Sequence, residues 1–156
     1  MHDRPMRVAI DARCLNVDHL RGMGKSIYEF MQRTASSGAI EWHLLSNRPD
    51  LPMHVPSDAC RVSVFETRGY RFNTWEQYSL PAAASKLGAD VLHAPATTAP
   101  WWQPVPTVVT VHDAIPWQGN DPAWPAGFHR DRLLPAAYHK AGAVITVSNT
   151  SRRDIL

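Results

Sequence analysis

Short apolar runs alternate with amphipathic stretches along the chain. Met6-Arg7-Val8-Ala9-Ile10-Asp11-Ala12 predicts a buried strand close to the N-terminus. A polar stretch with Gly22 and Gly24 follows, and Lys25 to Ser36 predicts a helix. Its Ile27, Phe30, Met31 and Thr34 recur near the 3.6-residue period, and Gly38 offers a stop. Strands are expected at Glu41–Ser46 and Arg61–Phe65, joined by a loop, Asn47 to Ala59, carrying Pro49, Pro52 and Pro56. Thr74-Trp75-Glu76-Gln77 has the form of a capping box, so a helix should run from there to Lys86 and end at Gly88. Pro81 falls inside it and predicts a kink near its first turns. Asp90–His93 and Thr107–Val111 predict the next two strands. A helix around Phe128 to Lys140, strained by Pro135, and a sixth strand at Ala143–Val147 follow. Ser151-Arg152-Arg153-Asp154 has the form of another capping box, so the chain is expected to stop as its last helix begins.

Strands alternating with helices imply right-handed crossovers and a parallel sheet. The fold class expected is α/β, a Rossmann-like open parallel sheet with helices on both faces and strand order 3-2-1-4-5-6. No internal repeat or low-complexity segment is visible. The 156 residues suffice for one domain. Sixteen basic against 14 acidic side chains give a net charge of +2, and without a basic run this argues against nucleic acid as partner. An apolar share of 44% is too high for a disordered chain. No apolar run approaches the ~18 residues of a membrane span, and no signal-peptide pattern opens the sequence. Cys14 and Cys60 suit neither a disulfide framework nor a metal knuckle, so a reducing, cytoplasmic setting is expected. More than half of the 13 prolines and four of the six tryptophans fall in residues 94–127, which predicts long loops around one strand.

In open parallel sheets the ligand crevice lies outside the carboxyl ends of the strands. Strand one leads there to Asp11, Arg13 and the stretch Gly22-Met23-Gly24, strand four to His93, strand five to His112-Asp113, and strand six to Ser148 and Ser151. Gly22-Met23-Gly24 opens a helix, so its N–H groups can face an anion, or the glycines can serve as a plain turn. The dinucleotide fingerprint fails because its third glycine would be Ile27. A phosphate-binding loop ending in Gly24-Lys25-Ser26 fails because its leading glycine would be His19. His112 beside Asp113 fits either an acid–base or electrostatic role or a backbone-bonded structural pair. Neighbours in an extended chain point to opposite sides, so the two are not expected to pair with each other. His93 has the same two readings, cleft ligand or buried structural histidine. The eight histidines show no zinc spacing, so no metal site is expected. Ser148 lies in no nucleophile elbow. The tryptophans suit sugar stacking, a membrane surface, or packing of the loops. Arg61, Arg68 and Arg71 suit an anionic acceptor or a solvated face.

Four motifs in register resemble one family. Val8-Ala9-Ile10-Asp11-Ala12-Arg13 with Arg21-Gly22-Met23-Gly24-Lys25-Ser26-Ile27-Tyr28 is similar to the opening of family-four glycosyltransferases of the GT-B fold. Glu76-Gln77 with Leu80-Pro81, then Asp90-Val91-Leu92-His93 and Pro95, resembles the next segment. Thr110-Val111-His112-Asp113 with Pro116, and Val144-Ile145-Thr146-Val147-Ser148 with Ser151, Asp154 and Ile155, resemble the last two.

The resemblance implies the N-terminal, acceptor-side half of a two-domain enzyme, spanning 1–156 and apparently truncated. Such an enzyme moves a mannose- or glucose-like hexose from a nucleotide-diphosphate sugar to a glycan or lipid-linked acceptor. The anomeric configuration is retained and neither metal nor other cofactor is required. It implies Gly22, Met23 and Gly24 against the donor diphosphate and His112 near the transferring sugar as the catalytic residue. Asp113 would shape that turn and, with Asp11, Arg13, His93, Ser148 and Ser151, would line the acceptor side of the cleft. The nucleotide-sugar domain would be the missing partner, so the fragment alone is expected to be inactive. A bacterial, polysaccharide-building setting, cytoplasmic or peripheral at the inner membrane face, is also implied. The alternative is a stand-alone, non-catalytic Rossmann-like module that pairs with a separate catalytic domain.

Overall fold

A computed structural model describes residues 4–58, 60–64, 74–113, 117 and 127–155. Ala59, Phe65, Arg68, Arg71, Pro116 and Trp124, which entered the sequence expectations, lie outside the described residues. The strands are β1 (Met6–Asp11), β2 (Ile40–Ser46), β3 (Arg61–Val64), β4 (Val91–Ala94), β5 (Thr107–Val111) and β6 (Ala143–Thr146). They form one sheet in the order β3-β2-β1-β4-β5-β6, and every pairing is parallel. The α/β class and the expected strand order hold. The helices are α1 (Gly22–Ala35), α2 (Leu80–Lys86), α3 (Leu134–Lys140) and α4 (Asn149–Ile155).

Successive strand residues face opposite sides, which sorts the core into layers. Val8, Ile10, Trp42 and Leu44 pack against Ile27 and Met31 of α1. Ala9, Leu45 and Leu92 pack on the other face against Leu80, Ala83 and Ala84 of α2 and against Trp75. A third cluster joins Ala94, Val109 and Val111 to Ala137 of α3. Two residues of the expected apolar face of α1 serve otherwise. Phe30 is half exposed and meets Trp42 edge-on at 5.7 Å, and Thr34 Oγ1 accepts from Trp42 Nε1 at 3.2 Å.

The helix starts differ from the sequence expectations, each for a local reason. α1 begins at Gly22 rather than Lys25. Thr74 already has helical angles and caps nothing, so no capping box forms there. A π-helical turn over Trp75–Ser79 leads into α2 instead, with Leu80 N–H bonded to Trp75 O. A proline lacks its N–H and crowds the preceding turn, and widening that turn accommodates Pro81. The same device recurs where a π turn over His129–Leu133 leads into α3 ahead of Pro135. At α4 the cap is Ser148, whose Oγ accepts the N–H of Ser151 at 3.0 Å, so Ser151 sits in the first turn rather than at the cap. Gly38 and Gly88 end their helices at φ of 66° and 64°, backbone that glycine adopts freely.

Candidate functional site

The carboxyl ends of the strands gather three polar assemblies. The first is built on β1. Asp11 ends that strand buried, and a 3₁₀ turn over Ala12–Cys14 brings Arg13 back over it. The guanidinium makes a two-pronged pair, Nε to Oδ1 at 2.9 Å and Nη2 to Oδ2 at 2.5 Å. Nη2 also reaches Glu76 Oε2 at 3.0 Å, and the Glu76 side chain is only 1% exposed. Thr98 Oγ1 donates to the same Oε2 at 2.6 Å. Gln77 Oε1 accepts from Trp101 N at 2.8 Å. The Glu76-Gln77 pair of the expected capping box therefore serves tertiary partners. Burial opposes the charge of Arg13, but Asp11 and Glu76 outweigh it and raise its pKa. Burial pushes Glu76 up to about 7 despite Arg13 and Thr98.

The second assembly surrounds His112, half-buried just after β5. Its Nε2 bonds Pro95 O at 2.8 Å, its N–H reaches Thr97 Oγ1 at 3.3 Å, and its carbonyl accepts from Ser151 Oγ at 2.8 Å. Ser148 Oγ lies 2.9 Å from Ser151 Oγ, which brings both serines to this histidine through the start of α4. Asp113 follows, also half-buried. His93 belongs to neither assembly. It is buried, and its Nε2 lies 2.9 Å from Thr110 Oγ1 on the neighbouring strand. Burial lowers its pKa to about 4 and keeps the ring neutral at pH 7.

The third assembly is the first turn of α1. Arg21 precedes it with extended backbone, and no side chain caps it. Gly22, Met23 and Gly24 line a hollow of about 560 Å³ together with Arg21 and Arg48. Asn16 holds Leu51, which also lines the hollow. It is fully buried, donates to Leu51 O at 2.6 Å and Pro52 O at 3.1 Å, and accepts from Ser46 Oγ at 2.5 Å. The two glycines are not equivalent. Open space surrounds the position of a Cβ on Gly22, whereas a Cβ on Gly24 would meet Cys14 O at 2.5 Å. Gly24→Ala is expected to push α1 off the 3₁₀ turn and to cost about 1–3 kcal/mol. Urea unfolding of both alanine variants checks this, with Gly22→Ala close to wild type.

The family model for Glycosyltransferase Family 4 matches residues 20–156. The chain belongs to this family. No curated protein and no solved structure matches it. The match to the glycosyltransferase model takes in the open turn of α1, Glu76 and Thr98, His112 and both serines. Of the glycosyltransferase chain's tryptophans, Trp117 packs edge-on against Tyr138 at 6.2 Å, while Trp101 and Trp102 stay half exposed. Lys140 Nζ sits 4.3 Å from the centre of the Trp101 ring. Among the described residues no helix is long and apolar enough to cross a membrane, and no group of three or more His, Cys, Asp or Glu side chains is placed to hold a metal ion.

Glu76 and His93, both buried, act on stability with opposite signs. The folded pKa of Glu76, about 7, lies above its usual 4.5. Its contribution is thus full below pH 4.5 and is lost as pH rises to about 7. The folded pKa of His93, about 4, lies below its usual 6.5, so its contribution is full above pH 6.5 and is lost as pH falls toward 4. Between pH 4.5 and 6.5 the two slopes oppose each other. Glu76→Gln leaves His93 alone, and stability should then fall by about 2–3 kcal/mol from pH 7 to 4.5. Urea midpoints at the two pH values test this; equal slopes for variant and wild type would refute it.

Proposed function

We propose that this glycosyltransferase domain forms the acceptor-side wall of a retaining enzyme. The enzyme would move a mannose- or glucose-like hexose from a nucleotide-diphosphate sugar to a glycan or lipid-linked acceptor. The observation that carries the reading is the uncapped first turn of α1, which opens on a hollow beside Arg21 and Arg48. Helix N–H groups and the helix dipole there suit a diphosphate. In this reading the nucleotide itself is held mainly by a facing domain, and the charge-stabilising work falls to protein groups without a metal. His112 lies near the transferring sugar. Asp113 shapes the turn after it, Ser151 holds the His112 carbonyl, and Ser148 is bonded to Ser151. Asp11, Arg13 and His93 are given supporting rather than contacting roles, because Asp11 and His93 are buried and Arg13 is spent on two carboxylates. The half-exposed Trp101 and Trp102 are available to a sugar ring or a membrane surface, which fits a cytoplasmic enzyme working at the inner membrane face.

The test is a titration of the chain with a nucleoside diphosphate followed by amide NMR. The Gly22, Met23 and Gly24 amides are expected to move, and Gly22 most, because the space around it is open. If these three amides stay still while others respond, the diphosphate lies elsewhere and the reading fails.

A further inference from the structure

Thr97 is the one non-glycine residue at positive φ among the described residues, at 68°. A β-branched side chain is strained in that left-handed region, and such strain persists only where the surroundings over-determine it. Here they do. Thr97 is buried, and each of its polar groups is engaged. Its N–H donates to Thr110 O at 2.9 Å, its Oγ1 accepts the His112 N–H at 3.3 Å, and its carbonyl accepts from the Tyr138 hydroxyl. The next residue, Thr98, is tied to Glu76. The short segment 95–98 is therefore clamped from β5, α3 and the π turn before α2.

The clamp has a chemical consequence at His112. The Pro95 carbonyl, two residues before Thr97, meets His112 Nε2 at 2.8 Å. A carbonyl oxygen only accepts, so Nε2 carries the proton and Nδ1 of the neutral ring is left as the acceptor. We propose that Thr97 is a positioning residue that fixes His112 as the Nε2–H tautomer, which leaves Nδ1 as the acceptor the ring offers to a ligand.

The tautomer is read in the chain without ligand, from imidazole ¹⁵N shifts of His112 at a pH where the ring is neutral. The wild type is expected to show Nε2–H. Thr97→Gly relieves the strain and removes Oγ1, which frees the Pro95 carbonyl from its place against Nε2; losing that Nε2–H bond should lower the ratio of Nε2–H to Nδ1–H about fivefold. Thr97→Ser keeps the hydroxyl and should restore the wild-type ratio. Nδ1–H in the wild type, or an unchanged ratio in Thr97→Gly, overturns the proposal. If Thr97→Gly does not fold, Thr97→Val decides, since it keeps the shape and loses Oγ1; an unchanged ratio there also overturns it. Diphosphate binding at α1 is read from other nuclei, so failure here and failure of the transferase reading remain distinguishable.

Discussion

Arg13→Met is expected to destabilise the fold by about 3–5 kcal/mol at pH 7. The reason is what stays behind. Arg13 is the cation between Asp11 and Glu76, two carboxylates of which both are nearly inaccessible to water. Without it, Asp11 loses its two-pronged partner and Glu76 keeps only hydroxyl and amide donors, from Thr98 and Gln77. A methionine fills a similar volume, so the loss is electrostatic rather than a cavity. Arg13 holds the Glu76 pKa down to about 7, so its loss keeps that carboxyl protonated to higher pH. The destabilisation relative to wild type is therefore expected to grow as pH rises from 7 to 8.5 and to change little between 7 and 5. Urea unfolding at the three values reads the difference. The double variant Arg13→Met/Glu76→Gln should be less destabilised at pH 7 than Arg13→Met alone, since glutamine is neutral without taking up a proton. A destabilisation below about 1 kcal/mol, the level of an exposed ion pair, would mean that water reaches these groups.

The same residues show what a sequence exposes and what it hides. Strand order follows from the alternation of apolar runs with amphipathic helices, because each buried parallel strand must be apolar on both faces and each crossover must be right-handed. Val8-Ala9-Ile10 and Val108-Val109 announce themselves in that way. Helix starts do not, because polar side chains near a start have several possible partners. Thr74-Trp75-Glu76-Gln77 has the spacing of a local cap, but Glu76 reaches Arg13 and Thr98, and Gln77 reaches Trp101. Ser151-Arg152-Arg153-Asp154 has the same spacing, yet Ser148 takes the cap and frees Ser151 for His112. Asp11, Arg13, His112, Ser148 and Ser151 were visible as polar residues at strand ends. Glu76 had a weaker signal, a carboxylate between Trp75 and the apolar run Leu80-Pro81-Ala82-Ala83-Ala84. Thr97 had none, because backbone angle is a property of the fold and threonine does not advertise positive φ.

His112→Ala is expected to lower sugar transfer by about 10²–10³-fold in the transferase-active protein while leaving the fold intact. Three of the ring's surroundings are fixed before any substrate arrives: Pro95 O holds Nε2, Thr97 Oγ1 holds the backbone N–H, and Ser151 Oγ holds the backbone carbonyl. A group already fixed in place loses little freedom when the substrate binds, so its hydrogen bond can act on the reacting geometry rather than on ordering itself. Alanine retains both backbone contacts and removes only the ring. The half-buried position limits the stability loss, so circular dichroism and the urea midpoint should stay near wild type. The loss should fall on kcat more than on KM, because in the role proposed above the ring orients the transferring sugar and so acts beyond simple binding. Ser151→Ala provides the comparison. It keeps the ring and its Pro95 contact and removes only the donor to the His112 carbonyl, so a smaller loss, about tenfold, is expected. If His112→Ala keeps activity within a few-fold of wild type, the histidine is a structural link between β5 and α4. Equal losses in the two variants would instead assign the effect to the backbone of the turn rather than to the imidazole.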